Sequence, residues 1–257
     1  MTTRLTPAVP VPLLTLHEQH GVQVTRGCWR ERDVLLLTRM AGDADTRARF
    51  LQEGAILASL QHPYLPALLQ RSPHQLVLAW TDGPTLHDRL RRGPMPFLDV
   101  LRVLRGLIGA LEALHADGMV HHDLQPAHLQ LRLGDPGQLL LSGFGCAWSS
   151  QQARDAHDGH RAGTAAWMAP EQFAGVRGDP RSDLYGLGLL LWAMLDPHTP
   201  PTADPYDRLL GLAPLRPLPG PAVLHPLLGG CLERDPALRL QNVAAVRELL
   251  HDVERWH

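Results

Sequence analysis

Residues 120–129 read VHHDLQPAHL, and a second stretch, residues 138–145, reads QLLLSGFG. The first stretch sets one carboxylate, Asp123, among three imidazoles, and the second ends an apolar run with Gly-Phe-Gly. Their apolar residues predict two short strands, over residues 128–133 and 138–142. Functional side chains concentrate in the irregular sequence around such strands, so Asp123 and its neighbours are the first candidates for chemistry.

Outward from these stretches, the hydrophobic periodicity differs between the two halves of the chain. In the first half, residues 13–37 and 75–80 have the composition of strands, with a turn at Gly21, and residues 47–60 predict one helix. Turn-forming residues at 81–84 predict a connector. In the second half, apolar residues recur at steps of three and four, which predicts the helices 98–115, 183–195 and 243–253. We therefore divide the chain into a lead-in (1–12), a β-rich lobe (13–80) and a helical lobe (81–257).

Charge and composition argue against several classes of protein. The 257 residues carry a net charge of -2 and no lysine, so all 24 basic residues are arginines. This balance gives no attraction toward nucleic acid or anionic membranes. The three cysteines lie far apart, which predicts neither a disulfide framework nor a zinc site and favours a cytoplasmic location. Prolines interrupt the apolar stretch near the N-terminus, unlike in a signal peptide, and the most apolar segment, 187–195, is too short to span a membrane.

The stretch 120–129 resembles the catalytic loop of the protein kinase family, which reads H-R-D-L-K-P-x-N. In that family the Asp accepts the proton of the substrate hydroxyl, and the Asn holds a magnesium ion. Asp123 matches the catalytic Asp, while His122, Gln125 and His128 replace the Arg, Lys and Asn. In the second stretch, Gly143 replaces the metal-binding Asp of D-F-G, so both usual metal ligands are missing.

Further matches follow in the order and spacing of the family. Phe144 keeps the middle position of D-F-G, and residues 163–171, GTAAWMAPE, resemble the end of the activation segment. The resemblance implies an ion pair between Glu171 and Arg239, and an Asp183 that accepts N–H bonds from the catalytic loop. It is closest in character to bacterial Ser/Thr kinases. The implied fold is α+β and two-lobed, with a reduced β-rich N-lobe and a helical C-lobe.

The first half resembles the nucleotide-binding lobe of a kinase in outline only. Glu53 matches the helix glutamate that normally pairs with a strand lysine, and either Leu37 or Arg39 stands at that lysine's position. Gly21 matches the last glycine of G-x-G-x-x-G, with Leu16 and Glu18 at the other two positions. Residues 78–81 match the connector that contacts the nucleotide. The resemblance thus implies a degenerate nucleotide pocket at Gly21, Arg39, Glu53, Leu78 and Trp80.

Two other sites deserve consideration in the second half. His121, His122, Asp123 and His128 together have the donors of a zinc or manganese site. Against this, the first histidine of the matched loop packs inward, so we expect His121 to be a core residue bonded to backbone. Residues 146–162 occupy the activation-segment position, where Ser149 and Ser150 are candidates for phosphorylation near Arg154 and Asp158; an exposed polar loop is the alternative.

Phosphoryl transfer relies on magnesium ions and a lysine to offset the charge of the triphosphate. Each missing element of that kind costs about a hundredfold or more in rate. The resemblance therefore implies a pseudokinase that acts on another protein, a kinase or a kinase substrate, as a scaffold or allosteric regulator. No cofactor is expected, although weak, metal-independent ATP binding is compatible with the pocket. The alternatives are a divergent active Ser/Thr kinase with Asp123 as its base and, with less support, a small-molecule phosphotransferase.

Overall fold

The computed structural model describes residues 9–19, 21–40, 42–149, 163–176, 178–199 and 201–255. The chain divides into two compact units, Met1–Asp82 and Gly83–His257. The first unit holds a sheet and one helix, and the second is mostly helical. The α+β, two-lobed fold class predicted from the sequence is confirmed.

The first unit is built on a five-stranded antiparallel sheet with the strand order β1-β2-β3-β5-β4. One helix, α1, Ala44–Ser59, connects the third strand to the fourth, and Asp43 caps it by accepting a hydrogen bond from the Thr46 N–H. The strands are β1 Val11–Gln19, β2 Val22–Trp29, β3 Arg32–Arg39, β4 Leu68–Arg71 and β5 Gln75–Ala79. The sequence predicted this helix and four of these strands, but not β4.

The two faces of this sheet bury different residues. Trp29, Val34, Leu36 and Val77 form a buried cluster on one face. On the other face, α1 comes so close that a Cβ atom at Gly54 would lie 2.8 Å from Leu76. The absence of a side chain at Gly54 therefore allows α1 to pack directly on β5.

The second unit consists of seven α-helices and two small strand pairs among the described residues. Two antiparallel pairs, β6 with β9 and β7 with β8, frame the stretch that resembles the catalytic loop. The strands are β6 Met119–Val120, β7 Leu129–Leu131, β8 Leu139–Leu141 and β9 Trp148–Ser149. The helices are α2 Leu86–Leu90, α3 Phe97–Ala116, α4 Pro170–Phe173, α5 Pro180–Leu195, α6 Pro205–Leu210, α7 His225–Leu232 and α8 Val243–Arg255.

Helix α5 forms the centre of the second unit. Most of its sixteen residues are buried, as expected for a helix that is apolar all round. The amphipathic helix α3 packs against it and also against α8. The three long helices predicted in this half are all confirmed. No helix in the described part of the chain combines the length and apolarity needed to span a bilayer.

Candidate functional site

Asp123 lies in the loop between β6 and β7, and both of its carboxylate oxygens are engaged. Its Oδ1 accepts a hydrogen bond of 3.0 Å from the backbone N–H of Thr164, and its Oδ2 accepts one of 3.0 Å from Gln125 Nε2. The same Gln125 amide donates to the Thr164 hydroxyl at 3.0 Å. With 12% of its side chain exposed, the carboxylate ties the loop to the start of the segment that leads into α4.

His128 fills the space beside Gly143. Its Nδ1 lies 2.9 Å from the Asp123 carbonyl oxygen, which can only accept, so this nitrogen carries a proton and donates it. Gly143 has φ +82, and a Cβ atom there would lie 2.5–2.7 Å from three atoms of the His128 ring. The imidazole thus occupies the volume that a side chain at position 143 would need.

The residues at these two positions do not fit a magnesium ion. Magnesium requires oxygen ligands in near-octahedral geometry, whereas Gly143 has no side chain and the Nδ1 atom of His128 is already bonded to Asp123. Within the described residues, no three His, Cys, Asp or Glu side chains converge as a metal site would require. We therefore assign no metal-dependent step to this loop.

Asp183 anchors the loop through hydrogen bonds to its backbone. This fully buried carboxylate of α5 accepts hydrogen bonds from the backbone N–H groups of His121 and His122, at 2.8 and 2.9 Å. Its Oδ2 also lies 2.9 Å from Nε2 of His115 on α3. Burial alone would raise the pKa of Asp183, but the hydrogen bond with His115 and the nearby imidazoles outweigh burial and lower it. This is the backbone anchoring that the sequence predicted for Asp183.

His121 is a core residue with both ring nitrogens in use. Its Nε2 lies 3.0 Å from the Ser142 carbonyl oxygen, and its Nδ1 lies 3.3 Å from the backbone N–H of Asp123. The ring packs edge-on against Phe144, with centroids 5.1 Å apart. Burial lowers the pKa of His121 to about 4, so the ring is neutral. The expectation of a buried, backbone-bonded His121 is confirmed.

The depressed pKa of His121 predicts a pH-dependent stability. Because the unfolded imidazole binds a proton near pH 6.5 and the folded one only near pH 4, the unfolding free energy should fall as pH drops through this window. Over the whole window the free energy of unfolding should fall by about 3 kcal/mol, and above pH 6.5 this loss of stability is absent. Urea titrations at several pH values should show a shallower slope for His121→Asn than for the wild type. The control is His251→Asn, which removes an exposed imidazole; a wild-type slope in His121→Asn contradicts the prediction.

His122 adopts a strained backbone conformation with φ +63. Two backbone bonds hold it, one to Asp183 and one in which its carbonyl accepts from Gln172 Nε2 at 2.9 Å. Its Nε2 lies 3.0 Å from the indole nitrogen of Trp148, which can only donate, and 3.1 Å from the carbonyl oxygen of Gly178, which can only accept. His122 is therefore a structural link between the loop, α4 and β9.

The ion pair expected between Glu171 and Arg239 is present. Two guanidinium nitrogens of Arg239 bind the two carboxylate oxygens of Glu171 at 2.7 and 2.9 Å. The Arg239 side chain is fully buried and stacks over Tyr185 at 4.9 Å, and the Ser182 hydroxyl donates to the same carboxylate. Burial alone would raise the pKa of Glu171, but the bonds from Arg239 lower it.

In the first unit, Leu37 and Arg39 lie on the same face of β3 as Leu76 of β5, the face that α1 covers. The Arg39 guanidinium bonds to the Pro73 carbonyl oxygen at 3.4 Å and to His74 Nδ1 at 2.8 Å. Its hydrogen bonds are therefore directed to the turn between β4 and β5. Glu53 lies half-buried on α1.

The other predicted nucleotide-pocket residues are placed as follows. Gly21, with φ +72, closes the turn between β1 and β2. Leu78 is buried within β5, which ends at Ala79, so only Trp80 and Thr81 of the four residues matched to the family's connector follow the strand. The Trp80 ring lies 4.8 Å from the Arg26 guanidinium, and its indole N–H donates to Asp82. Leu16 and Glu18 belong to β1 and are exposed.

Some of the predicted residues lie outside the described part of the chain, and some of the contacts at this site were not predicted from the sequence. Ser150, Arg154 and Asp158, the predicted modification segment with Ser149, lie outside the described residues, and Ser149 itself ends β9. Sequence reasoning missed the roles of His115 and Gln172, because nothing in their spacing indicates a contact with a distant loop.

Comparison with known proteins agrees with this architecture. The sequence model of the protein family described as protein kinase domain matches residues 37–211 of this chain. Serine/threonine-protein kinase PknL of Mycobacterium tuberculosis is 38% identical over 183 residues, which cover 67% of this chain and 45% of the relative. Serine/threonine-protein kinase PkaA of Streptomyces coelicolor is 31% identical over 212 residues, covering 79% of this chain and 39% of the relative. The chain thus spans less than half the length of these two relatives. By the extent of these matches, the chain belongs to the protein kinase family.

Proposed function

We propose that this chain is a pseudokinase: it keeps the protein kinase fold, transfers little or no phosphate, and acts by binding another protein as a scaffold or allosteric regulator. The observation that carries the proposal is the packing of the His128 imidazole against Gly143. A ring in this position takes the place of two metal ligands at once.

The state of Asp123 supports the same proposal. Both carboxylate oxygens of Asp123 accept hydrogen bonds from within the protein, so this side chain already has a structural role in holding the loop. Gln125, a neutral residue where kinases have lysine, supplies one of these bonds and also binds Thr164. The loop is thereby stabilised as a structural element without any added cation. Any binding of ATP is proposed to be weak and independent of magnesium.

One alternative has an observation in its favour. A divergent active Ser/Thr kinase would use Asp123 as base, and 12% of this side chain is still exposed. The relatives that the chain resembles carry the name serine/threonine-protein kinase. In this alternative Arg39 would have to serve as the phosphate clamp, but its guanidinium bonds to the β4–β5 turn. We therefore prefer the pseudokinase.

Phosphate transfer from labelled ATP tests the two proposals. With magnesium and then with manganese, wild-type protein is expected to incorporate no more label, into itself or a generic substrate, than Asp123→Asn. The substitution removes one charge but keeps the size of the side chain and one of its two acceptor oxygens, so folding should be retained; circular dichroism verifies this. Label that appears in the wild type and is lost in Asp123→Asn would establish the active kinase instead.

A further inference from the structure

The Nε2 atom of His122 lies between two polar groups that it cannot bind at the same time. It is 3.0 Å from the indole nitrogen of Trp148 on β9 and 3.1 Å from the carbonyl oxygen of Gly178, just before α5. The indole only donates a hydrogen bond, and the carbonyl only accepts one. An Nε2 atom without a proton therefore binds Trp148, whereas an Nε2 atom with a proton binds Gly178.

The surroundings of His122 hold its ring in this position. Its backbone has φ +63, which is uncommon for a residue with a side chain, and hydrogen bonds to Asp183 and Gln172 fix this conformation. Only 7% of the residue is exposed. A Cβ atom at Gly178 would lie 3.2 Å from Nε2, so the chain before α5 packs directly against the ring. A change in the protonation of the ring must therefore be answered by its neighbours.

Strand β9 is the neighbour that is held less firmly. It pairs with β6 over two residues only, and so short a strand pair is marginally stable by itself. Gly178, in contrast, leads into the buried helix α5, which Asp179 caps by accepting the N–H of Arg181. Protonation of Nε2 is therefore expected to release Trp148 and to leave Gly178 in place.

The carboxylate of Asp183 favours a positive charge on His122. It attracts the charged imidazole and accepts the backbone N–H of the same residue at 2.9 Å. Burial acts in the opposite direction, because it disfavours a charged ring. Glu171 and Asp179 contribute less, since each is paired with an arginine. Other titratable side chains on the described elements around this loop include His115 of α3 and, on the loop itself, His121 and Asp123.

We infer that His122 is a proton-operated switch: the neutral ring accepts from Trp148 and holds β9 against the loop, and the protonated ring donates to Gly178 and releases β9. The proton binds at Nε2, and the indole N–H then loses its acceptor. The arginine that the family's motif has at this position carries donors only, so the switch depends on the histidine. This switch is independent of the proposed binding role and of whether the chain transfers phosphate.

The indole N–H signal of Trp148 in ¹H–¹⁵N spectra of the full chain tests the switch, and Trp148→Phe assigns this signal. Between pH 8 and pH 5, where imidazoles change their charge, the wild-type signal should move to the position of an indole that is not hydrogen-bonded. At pH 8 the N–H should exchange with water about fivefold more slowly in the wild type than in His122→Arg, as expected for one hydrogen bond. At pH 5 the two rates should be equal.

The matched variant is His122→Gln, whose neutral amide can accept from Trp148 and donate to Gly178 at the same time. Its indole signal should keep the hydrogen-bonded position from pH 8 to pH 5, and this comparison decides the question even if His122→Arg does not fold. His251→Gln, which removes an exposed imidazole of α8, should behave like the wild type. A wild-type signal that does not move, or one that moves equally in His122→Gln, overturns the switch. So does a midpoint near pH 4, which would assign the change to His121.

Discussion

Glu171→Ala is expected to lower the free energy of unfolding by about 3–5 kcal/mol, the range seen when one partner of a buried ion pair is removed. The reason is the environment of Arg239, whose side chain is 0% exposed. Without Glu171, this guanidinium keeps only the carbonyl oxygens of Arg181, Glu233 and Arg234 as acceptors, and its charge stays buried without a counter-ion. Urea denaturation followed by circular dichroism measures the effect.

Glu254→Ala is the control for this substitution. It breaks the ion pair with Arg105 on α3, in which the arginine is 58% exposed, so a loss of no more than about 1 kcal/mol is expected. A second variant, Glu171→Gln, retains acceptor oxygen but not the charge, and its stability should lie between that of Glu171→Ala and the wild type. Equal losses in Glu171→Ala and Glu254→Ala would show that Arg239 finds another counter-ion, and would refute the account of this pair.

The framework of the second unit could be predicted from the sequence because its signals are local or recur at fixed spacing. Helix α5 is apolar all round, which is typical of a buried helix, and Glu171, Asp183 and Arg239 stand in motifs whose order matches the protein kinase family. Burial then requires each of these charges to have a partner. Which partners they take, the loop N–H groups for Asp183 and Glu171 for Arg239, was implied by the resemblance to that family.

Other features depend on contacts that no local pattern encodes. Strand β4 has four residues, LLQR, none of them fully buried, so its sequence lacks the alternation by which strands are predicted. The direction of the Arg39 side chain is decided by the turn at Pro73 and His74, more than thirty positions away. Similarly, the sequence shows that His128 and Gly143 stand where the family has metal ligands. It does not show that the His128 ring fills the space that a side chain at position 143 would occupy.

The contact between the His128 ring and Gly143 makes these two departures from the family's motif interdependent. Gly143→Asp alone is expected to lower the free energy of unfolding by about 2–4 kcal/mol. Its Cβ atom would lie within 2.7 Å of His128 ring atoms, and overpacking of this kind costs about 1–3 kcal/mol. The left-handed backbone, with φ +82, adds about 1 kcal/mol for a residue other than glycine. Chemical denaturation of the purified variant measures the loss.

The double variant His128→Asn with Gly143→Asp separates packing from backbone strain. Asparagine is shorter than histidine and lacks the ring atoms that the new Cβ would meet, so the double variant should recover stability relative to Gly143→Asp. The coupling energy from the four-protein cycle should be about 1–3 kcal/mol, as for residues in direct contact. The matched control is a cycle that combines Gly143→Asp with His251→Asn, which removes an exposed imidazole. This cycle should show no coupling. A coupling near zero in the His128 cycle would mean that the imidazole can move aside at little cost. The packing of His128 against Gly143 would then no longer support the proposed loss of catalysis.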